Sequence, residues 1–404
     1  MADRDAPTAA DDKYDLVVVG AGPAGLMAAE VAGASGLRVL VADQMPSVGR
    51  KFLMAGKSGL NLTKKEPESA FQAAFHPGEP IARMVAEFGA SAVMDWATGL
   101  GQAVFTGTTG RVFPEVMKAS PLLRAWLTRL DGMGVEVRTR WRWTGWANNG
   151  LEFETEDGRV NLPSKAVVLA LGGASWRRLG SDGAWAGILE DAGVSLAPFR
   201  PANMGLRLDW SDHMAPHLGQ PVKGTKLSAG GHTSRGEWVI SARGIEGGGV
   251  YEVSRFVRDG DPLFVDLAPD LSEVDLAERL AKPRGKRSFS NHLRRVLPLS
   301  SVQRALLMEW GRPLPEGRAL GQLIKALPVP VQGARDMDEA ISTAGGVAWE
   351  AVTSDLMLRQ MPGVFVAGEM LDWEAPTGGY LITGCLATGR QAGLGAVKWV
   401  TDAE

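Results

Sequence analysis

Gly20, Gly22 and Gly25 stand in the segment VVVGAGPAGLMAAE, residues 17–30, and an aspartate follows at position 43. Glycines at this spacing behind an apolar run clear a turn of side chains, so that backbone N–H groups can approach a pyrophosphate. Gly20 permits the tight turn, Gly22 the close approach, and Gly25 the packing of a helix on the preceding strand, while the helix N-terminus favours the phosphate charge. Pro23 and Ala24 lie inside the same turn and count with it as cofactor contacts. Asp43 can accept hydrogen bonds from a ribose diol and would repel a 2′-phosphate. The chemistry is dinucleotide binding, and the fingerprint alone does not separate NAD from FAD.

A βαβ frame must hold these residues. Residues 14–19 read as a buried strand, 25–34 as a helix and 38–42 as a second strand, about the thirty residues such a unit takes. From 135 to 173, VEVRTRWRWTGWANNGLEFETEDGRVNLPSKAVVLALGG reads as short strands with turns at Asn149-Gly150 and Asp157-Gly158, then a buried strand ending in Gly172-Gly173. Such an antiparallel insertion, returning to the main sheet, resembles the two-dinucleotide-binding-domain flavoproteins. That resemblance implies FAD, with Gly172 and Gly173 beside it. Near the C-terminus, VFVAGEMLDWEAPTGGYLITGCLATGRQAGLGAV gives a strand over 364–367, then Gly368-Glu369, then a loop to Gly378-Gly379 heading an apolar helix of small residues. It resembles the second flavin motif, which implies Glu369 reaching the ribityl hydroxyls and a helix N-terminus aimed at the flavin N1/C2 edge. Reduced flavin carries negative charge there, which a helix N-terminus stabilises.

The segments GRKFLMAGKSGLNLTKKEP (49–67), TAGGVAWEAV (343–352) and VAGEMLDWEAPTGGY (366–380) together resemble the aminoacetone-oxidase-like family of FAD-binding proteins, over almost the whole chain. Gly49, Arg50, Lys51, Gly59, Asn61 and Thr63 carry the likeness, while the family's usual Arg-Cys pair falls on Gly59-Leu60 and its second Asn on Lys64. In the GGYLIT run, Leu381 and Thr383 replace the family's Asn and Gln beside Tyr380, which implies a divergent subgroup with polar contacts near the ring traded for apolar ones. The resemblance also implies that Arg50 and Lys51 lie against the pyrophosphate and ring, where cations neutralise phosphate and ready a flavin for hydride. Lys51, Lys57 and Asn61 are the catalytic candidates of this segment. Cys385, early in the last helix, is a fourth: a thiol acid for a uracil carbon, against the blander reading of a small buried residue.

Between these halves the sequence places an insert. Residues 194–270 carry strand-like pieces (MGLRLDW, GEWVISARG, DPLFVDL) between Gly/Pro/Asp turns, and 271–335 read as helices from LSEVDLAERL with Ser272 as N-cap. The expected organisation is a discontinuous Rossmann-type α/β FAD domain (12–193 and 336–402) with an inserted β domain and a helical cap. Within the cap, Arg279, Lys282, Arg284, Lys286, Arg287, Arg294 and Arg295 form a dense basic run, read as a solvated face or a phosphate-backbone contact for RNA. Trp141 and Trp143 alternate within a strand and read as sheet packing rather than base-stacking platforms.

The remaining features exclude more than they add. A chain of 404 residues with 45% apolar residues and a formal charge of −3 suits two or three folded domains, not a protein that is globally a polyanion binder. One cysteine permits no internal disulfide, the polar start MADRDAPTAADDK reads as a short frayed leader, and no apolar run spans a bilayer, so a cytoplasmic home is expected. The five histidines show no metal-ligand spacing, and Pro216 breaks the pair His213/His217, so no metal is expected. GIEGGG at 244–249 lacks the Rossmann order, so NAD(P)H would visit transiently or the substrate itself would reduce the flavin. The family resemblance implies two functions, a small-amine oxidase-like enzyme with hydride transfer at flavin N5 and a reductase forming dihydrouridine in ribosomal RNA, and a flavin-binding protein without turnover is the third that stays open.

Overall fold

The computed structural model describes residues 14–57, 59–147 and 150–402; the N-terminal leader and Asn149 of the first expected hairpin turn lie outside the described residues. Two compact units emerge, one formed by Met1–Arg200 with Ser342–Glu404 and the other by Pro201–Ile341.

A parallel sheet of five strands organises the first unit: β1 (Tyr14–Val19), β2 (Val39–Asp43), β3 (Glu136–Thr139), β4 (Ser164–Leu169) and β5 (Val364–Val366), in the order β5-β4-β1-β2-β3. Leu16 to Val19 of β1 are all buried, as a central parallel strand covered on both faces requires. Helix α1 (Pro23–Ala34) starts two residues before the expected Gly25, because Pro23 has its φ preset for a first helical position and lacks an N–H to satisfy. The later helices are α2 (Arg50–Ala55) and the terminal α3 (Tyr380–Asp402). The small residues of α3 let it lie directly on α1: a β-carbon at Gly389 would fall 2.2 Å from Ala24 O, and one at Gly393 would fall 2.9 Å from Ala28 O. This contact sets the first turn of α1 against the middle of α3.

The expected antiparallel insertion is a three-stranded sheet, Arg142–Ala147, Gly150–Thr155 and Gly158–Leu162. Thr155 pairs with Gly158, so the second turn holds Glu156 and Asp157, with Gly158 at φ +118° opening the next strand. A second small sheet joins Thr63–Lys64, Arg111–Pro114 and Val104–Thr106.

In the second unit, sequence and structure differ. The sequence places its edges at 193/194 and 335/336 and splits it into a β domain and a helical cap, whereas its edges fall at 200/201 and 341/342. The strand that begins at Leu196 pairs with Ser342–Val347 and so stays with the first unit. Neither half of the insert has a core of its own. Leu206, Trp238 and Ile245 of the strands share one apolar cluster with Leu276, Leu293, Leu306 and Ile324 of the helices. Amphipathic helices of eight to ten residues bury their faces on a sheet and are not stable alone. The helix Gly248–Arg258, hidden behind a glycine-rich start, also lies within the stretch read as β.

Candidate cofactor site

The first glycine turn has the geometry its sequence implies. Gly20, at φ +104°, sits so near β4 that a β-carbon would lie 2.3 Å from Ala170 O, and one at Gly25 would lie 1.9 Å from Gly20 O. Gly22 differs: at φ −83° it heads α1, and no atom of the described residues stands within 4 Å of where its β-carbon would be. The turn is therefore closed behind and open at Gly22. Asp43 ties it together, as Ala21 N–H donates to Oδ2 at 2.9 Å and Met45 N–H to Oδ1 at 2.8 Å. Two of its roughly four acceptor positions remain for a diol. Burial raises the Asp43 carboxyl above the usual range, against these two hydrogen bonds and the nearby Arg50 charge. Gly49, left-handed at φ +65°, donates its N–H to Ala21 O and heads α2, which brings Arg50 and Lys51 to the same place.

Lys51, expected against the pyrophosphate and ring, is held by groups of the protein itself. Its Nζ donates to Glu369 Oε2 at 2.7 Å and to Ser175 Oγ at 2.8 Å. Glu369 also accepts from Gly173 N–H (3.2 Å) and Thr343 N–H (2.9 Å), so its carboxylate is largely engaged within the protein rather than presented to ribityl hydroxyls. In a half-buried site a carboxylate is the strongest partner an ammonium can find, and the pair fastens four separate segments. Gly173 fits here because a β-carbon would lie 2.5 Å from Thr343 Oγ1, and Gly172, at φ +76°, offers its carbonyl to Trp185 Nε1–H at 2.8 Å. Arg50 is the freer cation. Its Nε is buried with no hydrogen-bond partner among the described residues.

The second turn is bound to the first strand of the small sheet. With its amide oriented to satisfy both carbonyls, Asn61 donates to Thr63 O and Gly378 O, each at 3.2 Å. Gly379, at φ +99°, lies so close that a β-carbon would meet the Thr63 backbone at 2.4 Å. Asn61 is thus a positioning residue for the turn. Beyond it Tyr380 is buried against Phe71, its hydroxyl donating to Glu66 and accepting from Lys64 Nζ at 2.9 Å. Burial, then the hydrogen bond to Glu66, pushes its phenol up to about 12. Leu381 is half-buried behind it, and Lys57 is exposed on the loop after α2. Gly368 donates its N–H to Thr388 Oγ1 (3.0 Å) and its carbonyl accepts from Trp373 Nε1–H (2.8 Å). Cys385 lies against it, within 3.8 Å of where a Gly368 β-carbon would stand. Burial, reinforced by the Glu369 charge, pushes its thiol up to about 12, so it is neutral and not a nucleophile.

A cavity of about 240 Å³ opens beyond the carboxyl ends of β1 and β2, lined by Val19, Ala42, Gln44, Trp141 and Trp143. Trp141 and Trp143 do pack on their sheet, Trp141 at 5.4 Å from Phe153 and Trp143 edge-on to Trp146, yet both also face this space. The buried Trp143 Nε1–H has no partner among the described residues. The cavity is smaller than the roughly 300–1,000 Å³ of whole ligand sites, so it suits one end of an extended molecule. An open glycine turn, an orphaned guanidinium nitrogen, an orphaned indole donor and a cavity at the sheet's carboxyl edge together fit a dinucleotide. Glu66, Ser175, Thr343 and Arg111 were not singled out from sequence; of these, Glu66 and Thr343 lie in segments that carried the resemblance. In the second unit, Arg284, Lys286, Arg287, Arg294 and Arg295 are exposed, and none makes an ion pair among the described residues. No described helix is long and apolar enough to cross a membrane.

A Rossmann-type α/β fold with these two turns defines an FAD-dependent oxidoreductase. The chain belongs to the HI0933-like protein Rossmann domain family, whose profile matches residues 14–395. It is 26% identical to a 3-dehydro-bile acid delta(4,6)-reductase of Clostridium scindens, over 94% of this chain and 98% of that protein. It is 25% identical to a ribosomal RNA dihydrouridine synthase of Escherichia coli, over 91% and 94% of the two chains. In fold it is similar to a 3-ketosteroid-delta4-(5alpha)-dehydrogenase from Rhodococcus jostii, with a TM-score of 0.50 and 17% identity over 98% and 99% of the chains.

Proposed function

We propose that this oxidoreductase works in the reducing direction, saturating a carbon–carbon double bond conjugated with a carbonyl. The observation that carries the proposal is that two relatives matched along nine-tenths of the chain, one named for bile acid delta(4,6) reduction and one for dihydrouridine formation, share that bond type. Bound FAD supplies two-electron hydride chemistry, and the protein supplies orientation and charge. Gly20, Gly22 and Gly25 would hold the pyrophosphate with Arg50, Asp43 the ribose, and the α3 head at Gly378-Gly379 the flavin's pyrimidine edge. Lys51, Glu369 and Asn61 fix the segments around that edge. Cys385 and Tyr380 are both protonated at neutral pH, so neither is a base. A reduced nicotinamide dinucleotide, visiting transiently, would supply the electrons, in the cytoplasm. Among substrates of this class a uracil in RNA is supported by the exposed run from Lys282 to Arg287 together with Arg294 and Arg295, none of which makes an ion pair among the described residues. Small-amine oxidation, carried by the aminoacetone-oxidase-like resemblance, is the second reading.

The test is anaerobic. Holoprotein reduced with dithionite is mixed in turn with cyclohex-2-enone, a steroid 4-en-3-one, uridine and unmodified ribosomal RNA, while oxidised holoprotein is mixed with small amines. Reoxidation by at least one unsaturated compound, with a two-hydrogen mass gain in it, is expected. Bleaching by amines with peroxide release in air, and no response to any conjugated carbonyl, would refute the proposal.

A further inference from the structure

The small sheet beside the second turn carries a cation that the site as described does not use. Direct cross-strand partners point to one face of a sheet, as do residues two apart on one strand. Arg111 pairs with Lys64 and Phe105 with Phe113, while Arg111 and Phe113 are two apart, so all four share one face. The alternate residues Thr63 and Val112 are fully buried, and this face is the outer one. Its charges are not equivalent. Lys64 is paired with Glu66 at 2.7 Å and donates to Tyr380. The guanidinium of half-buried Arg111 makes no hydrogen bond or ion pair among the described residues. Its Nε lies 3.8 Å from where a β-carbon of Gly378 would stand, directly at the head of α3. Beyond it Phe113 and Phe105 stack at 5.7 Å with planes 29° apart, and Phe105 is 41% exposed.

We propose that Arg111 is the residue that binds the carbonyl oxygen of the substrate, with Phe113 and Phe105 as the wall on which the flat conjugated ring lies. The assignment rests on the reductase reading above. In that reaction a hydride adds to the carbon β to the carbonyl, the π pair shifts, and negative charge gathers on the oxygen as an enolate. A proton from solvent or a neutral acid then completes the α-carbon, the two electrons coming from the nicotinamide dinucleotide. A guanidinium without a partner among the described residues, beside the turn proposed to hold the flavin edge, is placed to meet that oxygen. Donors aimed at developing charge strengthen as the charge forms. The apolar pair excludes water from the opposite side and selects planar rings over flexible amines.

The probe is 4-chlorophenol, whose phenolate mimics the enolate oxygen and gives a long-wavelength charge-transfer band when it lies on an oxidised flavin. Wild-type holoprotein is expected to show the band. Arg111→Ala and Arg111→Gln should keep one FAD per chain, bind the phenolate roughly 10- to 100-fold more weakly, as loss of a charge-assisted hydrogen bond implies, and lose about 100-fold in kcat/KM. Arg111→Lys should recover part of both, and Phe113→Ala should raise KM more than it lowers kcat. Unchanged phenolate affinity in an Arg111→Gln enzyme that holds FAD would overturn the assignment, as would loss of FAD from all three Arg111 variants, which would make the residue a structural one. If wild-type protein binds no phenolate and reduces no conjugated carbonyl, the reaction class falls and Arg111's role falls with it; if it reduces them and the variants match it, only Arg111's role is lost.

Discussion

Gly22→Ala separates cofactor binding from folding. At Gly22 the backbone is extended, with φ −83° and ψ −178°, which alanine adopts without strain, and nothing among the described residues lies within 4 Å of the new methyl group. Its only cost to the protein alone is a poorer helix cap, about 0.5–1 kcal/mol, partly offset by the lower entropy of the unfolded chain. With a pyrophosphate seated on the α1 head, that methyl group occupies the ligand's space. Overpacking of this kind costs roughly 1–3 kcal/mol, or about 5- to 150-fold in affinity. Gly25→Ala is the control, because its methyl would lie 1.9 Å from Gly20 O and the backbone itself must move. That variant should lose at least about 3 kcal/mol of apoprotein stability. Urea unfolding of both apoproteins, followed by FAD titration monitored through flavin fluorescence, gives the two quantities separately. Wild-type FAD affinity in Gly22→Ala, or an apoprotein as unstable as Gly25→Ala, would show that the open side of this turn is not where the dinucleotide binds.

Three further outcomes follow from the same geometry. Burial raises the Cys385 thiol from 9.0 and the Tyr380 phenol from 10.0, each to about 12, so the folded chain holds these protons more tightly than the unfolded one. Their contribution to stability is full below pH 9 and is lost as pH climbs through 12; Cys385→Ala with Tyr380→Phe should show a flatter fall of the urea midpoint between pH 9 and 11, and a slope equal to wild type would contradict the burial of both. Gly379→Ala would set a methyl group 2.4 Å from the Thr63 backbone at a positive φ, and should cost about 2–5 kcal/mol in apoprotein unfolding. Alanine at Arg284, Lys286 and Arg287 together should weaken ribosomal RNA binding and lower its salt slope by about 2–3, with reduction of cyclohex-2-enone unchanged; an unaltered slope removes these residues from RNA contact.

What the sequence made legible follows physical range. Gly20, Gly22, Gly25 and Asp43 could be read because their whole function is local, one turn and one strand away. The βαβ frame and the helix headed by Gly378-Gly379 could be read for the same reason. Lys51 could be placed near the cofactor but not given its partner, since Glu369 lies 318 residues along the chain and the pairing exists only once the sheet has formed. Arg111 left no signal because its neighbours are chosen by pairing among strands of two to four residues, too short for periodicity to show. The insert's single core was missed because strands and helices that each look self-contained share their apolar faces.

The central claim is that one FAD lies across both glycine turns. The most direct measurement is the absorption spectrum of the purified chain after incubation with excess FAD and gel filtration, with mass spectrometry of the cofactor extracted from it. A yellow protein carrying close to one FAD per chain, whose colour is lost in Gly22→Ala at limiting FAD, is the predicted result. Colourless wild-type protein under the same conditions would contradict it.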